Sequence, residues 1–193
     1  MFEYISGKLV KLSPANATLD VSGIGYSIEI SLNTYSILHG KNECQLFVHQ
    51  VIREDAQLLF GFYKEIEREM FRQLISVSGV GANTARMMLS SMNTEEIRDA
   101  ILTGNVALLQ GIKGIGAKTA QRIIVDLKDK VGKASKDAEI FISQSNTIKE
   151  EALSALVALG FAKNVSDKTL SKVLATEPNA SVEELVKRAL KQL

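Results

Sequence analysis

Two glycine pairs, Gly79-Val80-Gly81 and Gly114-Ile115-Gly116, lie inside fifteen-residue stretches that repeat each other at an offset of 35 residues. Leu74–Met88 and Leu109–Ile123 share six identical positions, and Val77/Ile112, Val80/Ile115 and Met88/Ile123 keep their apolar character. Each copy reads as an apolar helix end, a Gly-hydrophobic-Gly turn, and a second helix opening at Ala-x-Thr-Ala. That is the helix-hairpin-helix pattern. Glycines one residue apart permit backbone angles that a side chain would forbid. They also gather successive N–H groups into a nest beside a helix start, where the positive end of the dipole suits a phosphate. Such contacts position a duplex without reading bases, so the expected ligand is a nucleic-acid backbone of any sequence. The candidate residues are Gly79, Val80, Gly81, Ala82 and Asn83 in the first copy and Gly114, Ile115, Gly116, Ala117, Lys118 and Thr119 in the second. Arg86 and Arg122 stand one turn further on.

A nucleotide-binding reading fails on spacing. Gly111 to Thr119 resembles the phosphate loop Gly-x4-Gly-Lys-Thr, but Ala117 separates Gly116 from Lys118. The preceding Val106–Gln110 reads as helix, whereas a phosphate loop follows a buried strand. ATP hydrolysis by this chain is therefore not expected. Asp126 and Asp129 read as solvated partners of Lys128 and Lys130 rather than as metal ligands. Two histidines and one cysteine among 193 residues do not suit a zinc site, so no metal or cofactor is expected.

Composition agrees with this division. Of the residues, 46% are hydrophobic, enough for folded cores, yet no apolar run approaches the ~18 residues of a membrane span. The lone Cys44 excludes an internal disulfide, fits a reducing cytoplasm, and reads as a small apolar side chain packed in a strand. The net charge of +1 is unevenly distributed. Residues 1–62 carry 4 Lys/Arg against 6 Asp/Glu, and residues 63–133 carry 11 against 8. The positive excess accompanies the hairpins, where phosphate contact is expected.

The elements that must hold these turns divide into an N-terminal barrel, a helical middle and a small C-terminal unit. Over residues 1–62, strands are expected at Tyr4–Leu12, Ala17–Val21, Tyr26–Ile30, Gln45–Ile52 and Gln57–Phe62, with turns at Gly23/Gly25 and Gly40. Five short strands suit a closed OB-type barrel, with a short helix at Thr34–Leu38 bridging the third and fourth. Residues 63–132 form the helical hairpin domain. It begins with a helix over Lys64–Ile75 whose apolar face is Ile66, Met70, Phe71, Leu74 and Ile75. A helix from Thr94 to Leu102 joins the hairpins, capped by Asn93 with Glu96 and stopped by Gly104. The last long helix ends at Val131–Gly132. Residues 133–146 read as a flexible linker in which Ile140-Phe-Ile142 could dock transiently. Residues 147–193 read as three helices, with capping boxes at Thr147/Glu150 and Ser181/Glu184, a stop at Gly160, and Pro178 in the loop before the last helix. This tethered unit reads as an interaction module with Leu156, Leu159 and Phe161 as its candidate contact face. The competing reading is that these residues fill a small core.

The segment Val51-Ile-Arg53-Glu54-Asp55-Ala56-Gln57-Leu58-Leu59-Phe60-Gly61-Phe62, with the paired hairpins and Glu151-Ala-Leu-Ser-Ala-Leu-Val-Ala-Leu-Gly160-Phe161, resembles the RuvA family over nearly the whole chain. The resemblance implies a non-catalytic subunit that binds four-way (Holliday) DNA junctions. It implies a homotetramer, sometimes doubled to an octamer, and recruitment of the hexameric ATPase RuvB through the C-terminal module. Branch migration in recombination and in repair of DNA damage within the SOS response follows, with the junction resolvase RuvC as a further partner. Glu54 and Asp55 fall on the family's acidic pin between the last two barrel strands. Without the resemblance, the pair reads as a solvated hairpin tip. Four copies would bring eight carboxylates to the centre of a junction. In the second hairpin Lys118 is the implied phosphate cation. In the first, Asn83 stands where a lysine is common and Ala82 where a proline is common, leaving Arg86 as the substitute cation. Two other classes carry hairpin pairs or barrels: DNA-processing enzymes such as glycosylases, ligases and nucleases, and pure assembly proteins.

Overall fold

The computed structural model describes residues 2–139, 144–177 and 180–193; for residues 133–139 and 144–147 it describes the backbone only. It divides into two units, Met1–Gly132 and Lys133–Leu193.

In the first unit five strands, β1 (Tyr4–Ser13), β2 (Asn16–Val21), β3 (Ile24–Ile30), β4 (Glu43–Ile52) and β5 (Gln57–Phe62), close into a barrel in the order β1-β2-β3-β5-β4. The five expected strands are all present, each within two residues of its expected ends. All pairings are antiparallel except β3 with β5, where Glu29 faces Phe60 and Ile30 faces Gly61. Alternation along each strand turns Ile5, Ala17, Leu19, Ile28, Ile30, Leu46 and Val48 into the barrel interior. Cys44 packs partly buried against this core, and burial pushes its thiol pKa up. The short helix α1 (Leu32–Leu38) begins two residues before the expected Thr34, because the Ser31 hydroxyl accepts from the Thr34 amide and caps it there.

The helices α2 (Glu65–Ile75), α3 (Ala82–Ser91), α4 (Thr94–Thr103), α5 (Val106–Gln110) and α6 (Ala117–Glu139) follow. Asn93 and Glu96 form a full capping box, and Gly104 is left-handed at φ +70°. The hairpin helices share one core with the end of the barrel: the Phe71 ring lies 5.2 Å from that of Phe60 and 4.9 Å from that of Phe62. The expected face of α2 needs correction. Met70, Phe71 and Leu74 are buried and Ile75 is half-buried, but Ile66 is 55% exposed. Its place is taken by Glu67 and Arg68, which are 5% and 1% exposed. Glu67 is held by the Ser31 and Thr34 hydroxyls. Arg68 is surrounded by Glu3, Glu65 and Glu69 and lies over the Phe47 ring. Buried charges persist where each is matched in this way.

Helical backbone continues seven residues past Gly132, to Glu139. The second unit's first helix, α7 (Gln144–Ala158), begins before Thr147, so Thr147 sits within a helix rather than at its cap. The stretch expected as a linker is therefore helical at 133–139 and again from Gln144; the Ile140–Ile142 segment and Pro178 lie outside the described residues. α8 (Lys163–Thr176) and α9 (Val182–Leu190) complete three helices around Ala152, Leu156, Leu170, Val173, Leu185 and Ala189. Gly160 is left-handed after α7, and Ser181 with Glu184 forms the expected capping box.

Candidate nucleic-acid interface

The two hairpin turns are superimposable in their bonding. Val77 N–H donates to Leu74 O at 3.1 Å, Val80 N–H to Val77 O at 3.0 Å, and Ala85 N–H to Gly81 O at 2.9 Å. The second copy repeats this 35 residues on: Ile112 to Leu109 at 3.2 Å, Ile115 to Ile112 at 3.1 Å and Ala120 to Gly116 at 2.9 Å. Val80 and Ile115, the residues between the glycines, are both 5% exposed and pin each turn to the common core.

The glycines of each pair have different duties, which the sequence pattern does not reveal. Gly79 and Gly114 each have φ +93°, the left-handed region that disfavours a side chain. Gly81 has φ −85°, open to any residue, and Gly116 has no positive φ. A Cβ at either second glycine would meet nothing within 4 Å. Neither the chain's conformation nor its packing thus demands glycine there; what remains is open space directly at a helix start. Gly81 has no side chain to cap α3 and no side-chain cap hydrogen bond forms there, so the first-turn amides of this helix lack the partner a capping residue would supply.

Charge separates the two turns. Lys113, Lys118 and Arg122 are all exposed around the second, with no ion-pair partner among the described residues. Lys113 was not anticipated as a site residue, although its position directly before Gly114 is a readable signal. The equivalent positions of the first turn are Ser78, Asn83 and Met87, so that hairpin presents amides without a cation. Arg86, the expected substitute, is engaged with the barrel. Its guanidinium is held by Glu29 at 3.1 Å and donates to the carbonyls of Ala15 at 3.1 Å and Ile30 at 3.4 Å. Its side chain is 20% exposed and committed to the barrel. Ala82 is buried, Asn83, Ala117 and Lys118 are exposed, and Thr119 is half-buried.

Glu54 and Asp55 occupy the tip of the β4–β5 hairpin, closed by Arg53 N–H donating to Ala56 O at 2.8 Å; both side chains are exposed. Asp126 and Asp129 are exposed on α6, and among the described residues the ion pairs of the helical domain run elsewhere, from Arg68, Arg72, Arg86 and Arg98. No group of three or more potential metal ligands occurs among the described residues. None of the described helices is long and apolar enough to cross a membrane. In the second unit the expected contact face is only partly at the surface. Leu156 is fully buried, Leu159 is 60% exposed, and Phe161 packs half-buried against the small core. Leu156 is a core residue: it lies on the inward side of α7, three residues before Leu159.

A five-stranded closed barrel sharing its core with two matched hairpins places the chain among tandem helix-hairpin-helix proteins. Residues 71–129 match the family model described as SAM-like helix-hairpin-helix tandem. Residues 1–61 match the RuvA N terminal domain and residues 147–193 the RuvA C-terminal domain. Proteins named Holliday junction branch migration complex subunit RuvA are similar over the full length of both chains. The one from Christiangramia forsetii is 49% identical, that from Flavobacterium psychrophilum 50%, and that from Bacteroides thetaiotaomicron 49%. The chain belongs to the RuvA family.

Proposed function

We propose that this chain is a structure-selective, sequence-independent binder of four-way DNA junctions, and that it works as the non-catalytic partner of a RuvB-type ATPase in branch migration. The observation that carries the reading is the open space beside Gly81 and Gly116, each at a helix start and each lacking any internal reason for glycine. An amide nest with room for an approaching oxygen suits a phosphate. Two such seats in one rigid core suit two points along a backbone, and the free Lys113, Lys118 and Arg122 favour the same ligand. The names of the full-length relatives support the junction as substrate and a complex as the working unit.

The exposed Glu54 and Asp55 fit a tetramer in which four hairpin tips meet at the crossover. Eight carboxylates gathered there would repel the phosphates of the exchanging strands and favour an open, square junction. Pairs of tetramers around one junction, and RuvC joining them, belong to the same reading. RuvB recruitment falls to the second unit, with Leu159 as its most exposed apolar residue near the end of α7.

A competition gel shift tests this reading. A labelled four-way junction at physiological salt with magnesium is challenged by linear duplex matching one arm. Strong preference for the junction without cleavage products is expected. Equal affinity would reduce the chain to a general duplex binder, and cleavage would move it to the hairpin-bearing nucleases.

A further inference from the structure

The two hairpins are alike in bonding and unlike in how they are mounted. The first is fastened to the barrel at the β3–α1 corner. Beyond the Arg86 contacts to Glu29, Ala15 and Ile30, the Ser90 hydroxyl accepts from the Leu32 amide at 3.1 Å. Asn33 Nδ2 donates to the carbonyls of Leu89 at 2.7 Å and Met92 at 3.2 Å, at the end of α3. Among the described residues, no hydrogen bond or ion pair between residues 106–130 and the barrel matches this set. The second hairpin instead holds the free cations. Charge and fastening therefore sit on opposite hairpins.

We propose that Arg86 is a positioning residue: the Arg86–Glu29 strut fixes the first phosphate seat relative to the barrel, and this fixed distance confers preference for a junction over linear duplex. The inference rests on the junction-binding reading above. A duplex arm can be held by the charged second hairpin alone, through contacts that tolerate small displacements. A junction must also meet the uncharged first seat and the β4–β5 tip of the same rigid body. Amide contacts are short-ranged and directional, so this seat contributes only when the barrel holds it in place. Arg86 acts through α3 and touches no DNA.

The test compares Arg86→Leu, Arg86→Lys and Glu29→Gln with the unaltered full-length chain, measuring affinity for a four-way junction and for linear duplex across a salt series. Both Arg86→Leu and Glu29→Gln should lower the junction-to-duplex ratio by about fivefold, the low end for coupling between separate sites. Duplex affinity and the salt slope should stay unchanged, and Arg86→Lys, which keeps a cation beside Glu29, should retain most of the preference. A phosphate-binding Arg86 predicts otherwise. Arg86→Leu would then lower both affinities together and reduce the salt slope by about one, while Glu29→Gln would free the guanidinium and tighten binding. Glu29→Gln keeps the two outcomes apart even if Arg86→Leu does not fold. Equal affinities in the unaltered chain would overturn the parent reading. Preference that survives unchanged in both variants overturns the strut alone.

Discussion

Glu67 on α2 accepts a 2.5 Å hydrogen bond from the hydroxyl of Ser31, the residue that caps α1, across 36 positions of sequence. Its other carboxylate oxygen accepts from Thr34 at 2.9 Å, and Thr34 Oγ1 in turn accepts from the Tyr63 amide at 3.1 Å. One buried carboxyl thus joins the barrel's helix to the first helix of the hairpin domain.

Burial pushes the Glu67 pKa up from the ordinary 4.5, while the Ser31 and Thr34 hydrogen bonds and the nearby Lys64 charge pull against it. The folded state therefore holds this proton more tightly than the unfolded chain does. The resulting stability is fully present below 4.5 and is lost as pH rises through the raised folded value. Glu67→Gln should remove that part of the pH dependence while keeping stability near neutral pH. Glu67→Ala leaves two buried hydroxyls without their acceptor and should cost about 1–3 kcal/mol. Urea unfolding followed at a series of pH values checks both. An unchanged pH slope in the glutamine variant would show that the titrating group lies elsewhere.

The glycine pairs predict a separation of folding from binding. Gly79→Ala or Gly114→Ala places a Cβ at φ +93° and should cost about 1–2 kcal/mol of stability. Gly81→Ala and Gly116→Ala meet no neighbour within 4 Å and should melt at or slightly above the parent temperature. Gly116→Ala should nevertheless bind both duplex and junction more weakly, and Gly81→Ala the junction, because the methyl group occupies the phosphate seat. Parent-like DNA affinity in Gly116→Ala would mean that the open space is not a seat at all.

Much of this architecture was legible because local signals and burial agree. Five strands with period-two alternation gave a barrel, and the 35-residue repeat gave two hairpins with matched bonding. The misreadings occurred where polar residues are buried or apolar ones exposed. On α2 the expected face takes in Ile66 where the structure buries Glu67. Glu67 stands three, four and seven residues before Met70, Phe71 and Leu74, so helical period already placed it inward, and only its charge argued otherwise. Arg86 looked like a free cation because its partners, Glu29 and the Ala15 and Ile30 carbonyls, lie 56 to 71 residues earlier in the chain. No local pattern encodes such a contact. The distinct duties of the two glycines in each turn likewise depend on φ and neighbouring space, which the letters do not carry.

The β4–β5 tip should behave as a repulsive element. Neutralising it with Glu54→Gln and Asp55→Asn removes charge from two exposed side chains that form no ion pair among the described residues, so folding should not change. Junction affinity should be equal or higher, while the rate of RuvB-driven migration or the geometry of the bound junction changes. Gel-shift titration paired with fluorescence transfer between junction arms reads both. A sharp fall in affinity would turn the tip from a repulsive element into an attractive contact.

Leu156 and Leu159 provide the last contrast, three residues apart on and just after α7. Leu156 is fully buried among Ala152, Leu170 and Leu185, and Leu156→Ala should cost about 2–5 kcal/mol in the second unit. Leu159 is 60% exposed, so Leu159→Ser should leave the helical content and melting of the full chain unchanged. If this exposed side chain anchors the ATPase, the same substitution should weaken RuvB capture and RuvB-driven migration, with junction binding intact because the hairpins are untouched. Undiminished RuvB capture by Leu159→Ser would place the docking surface on another face of the three-helix unit.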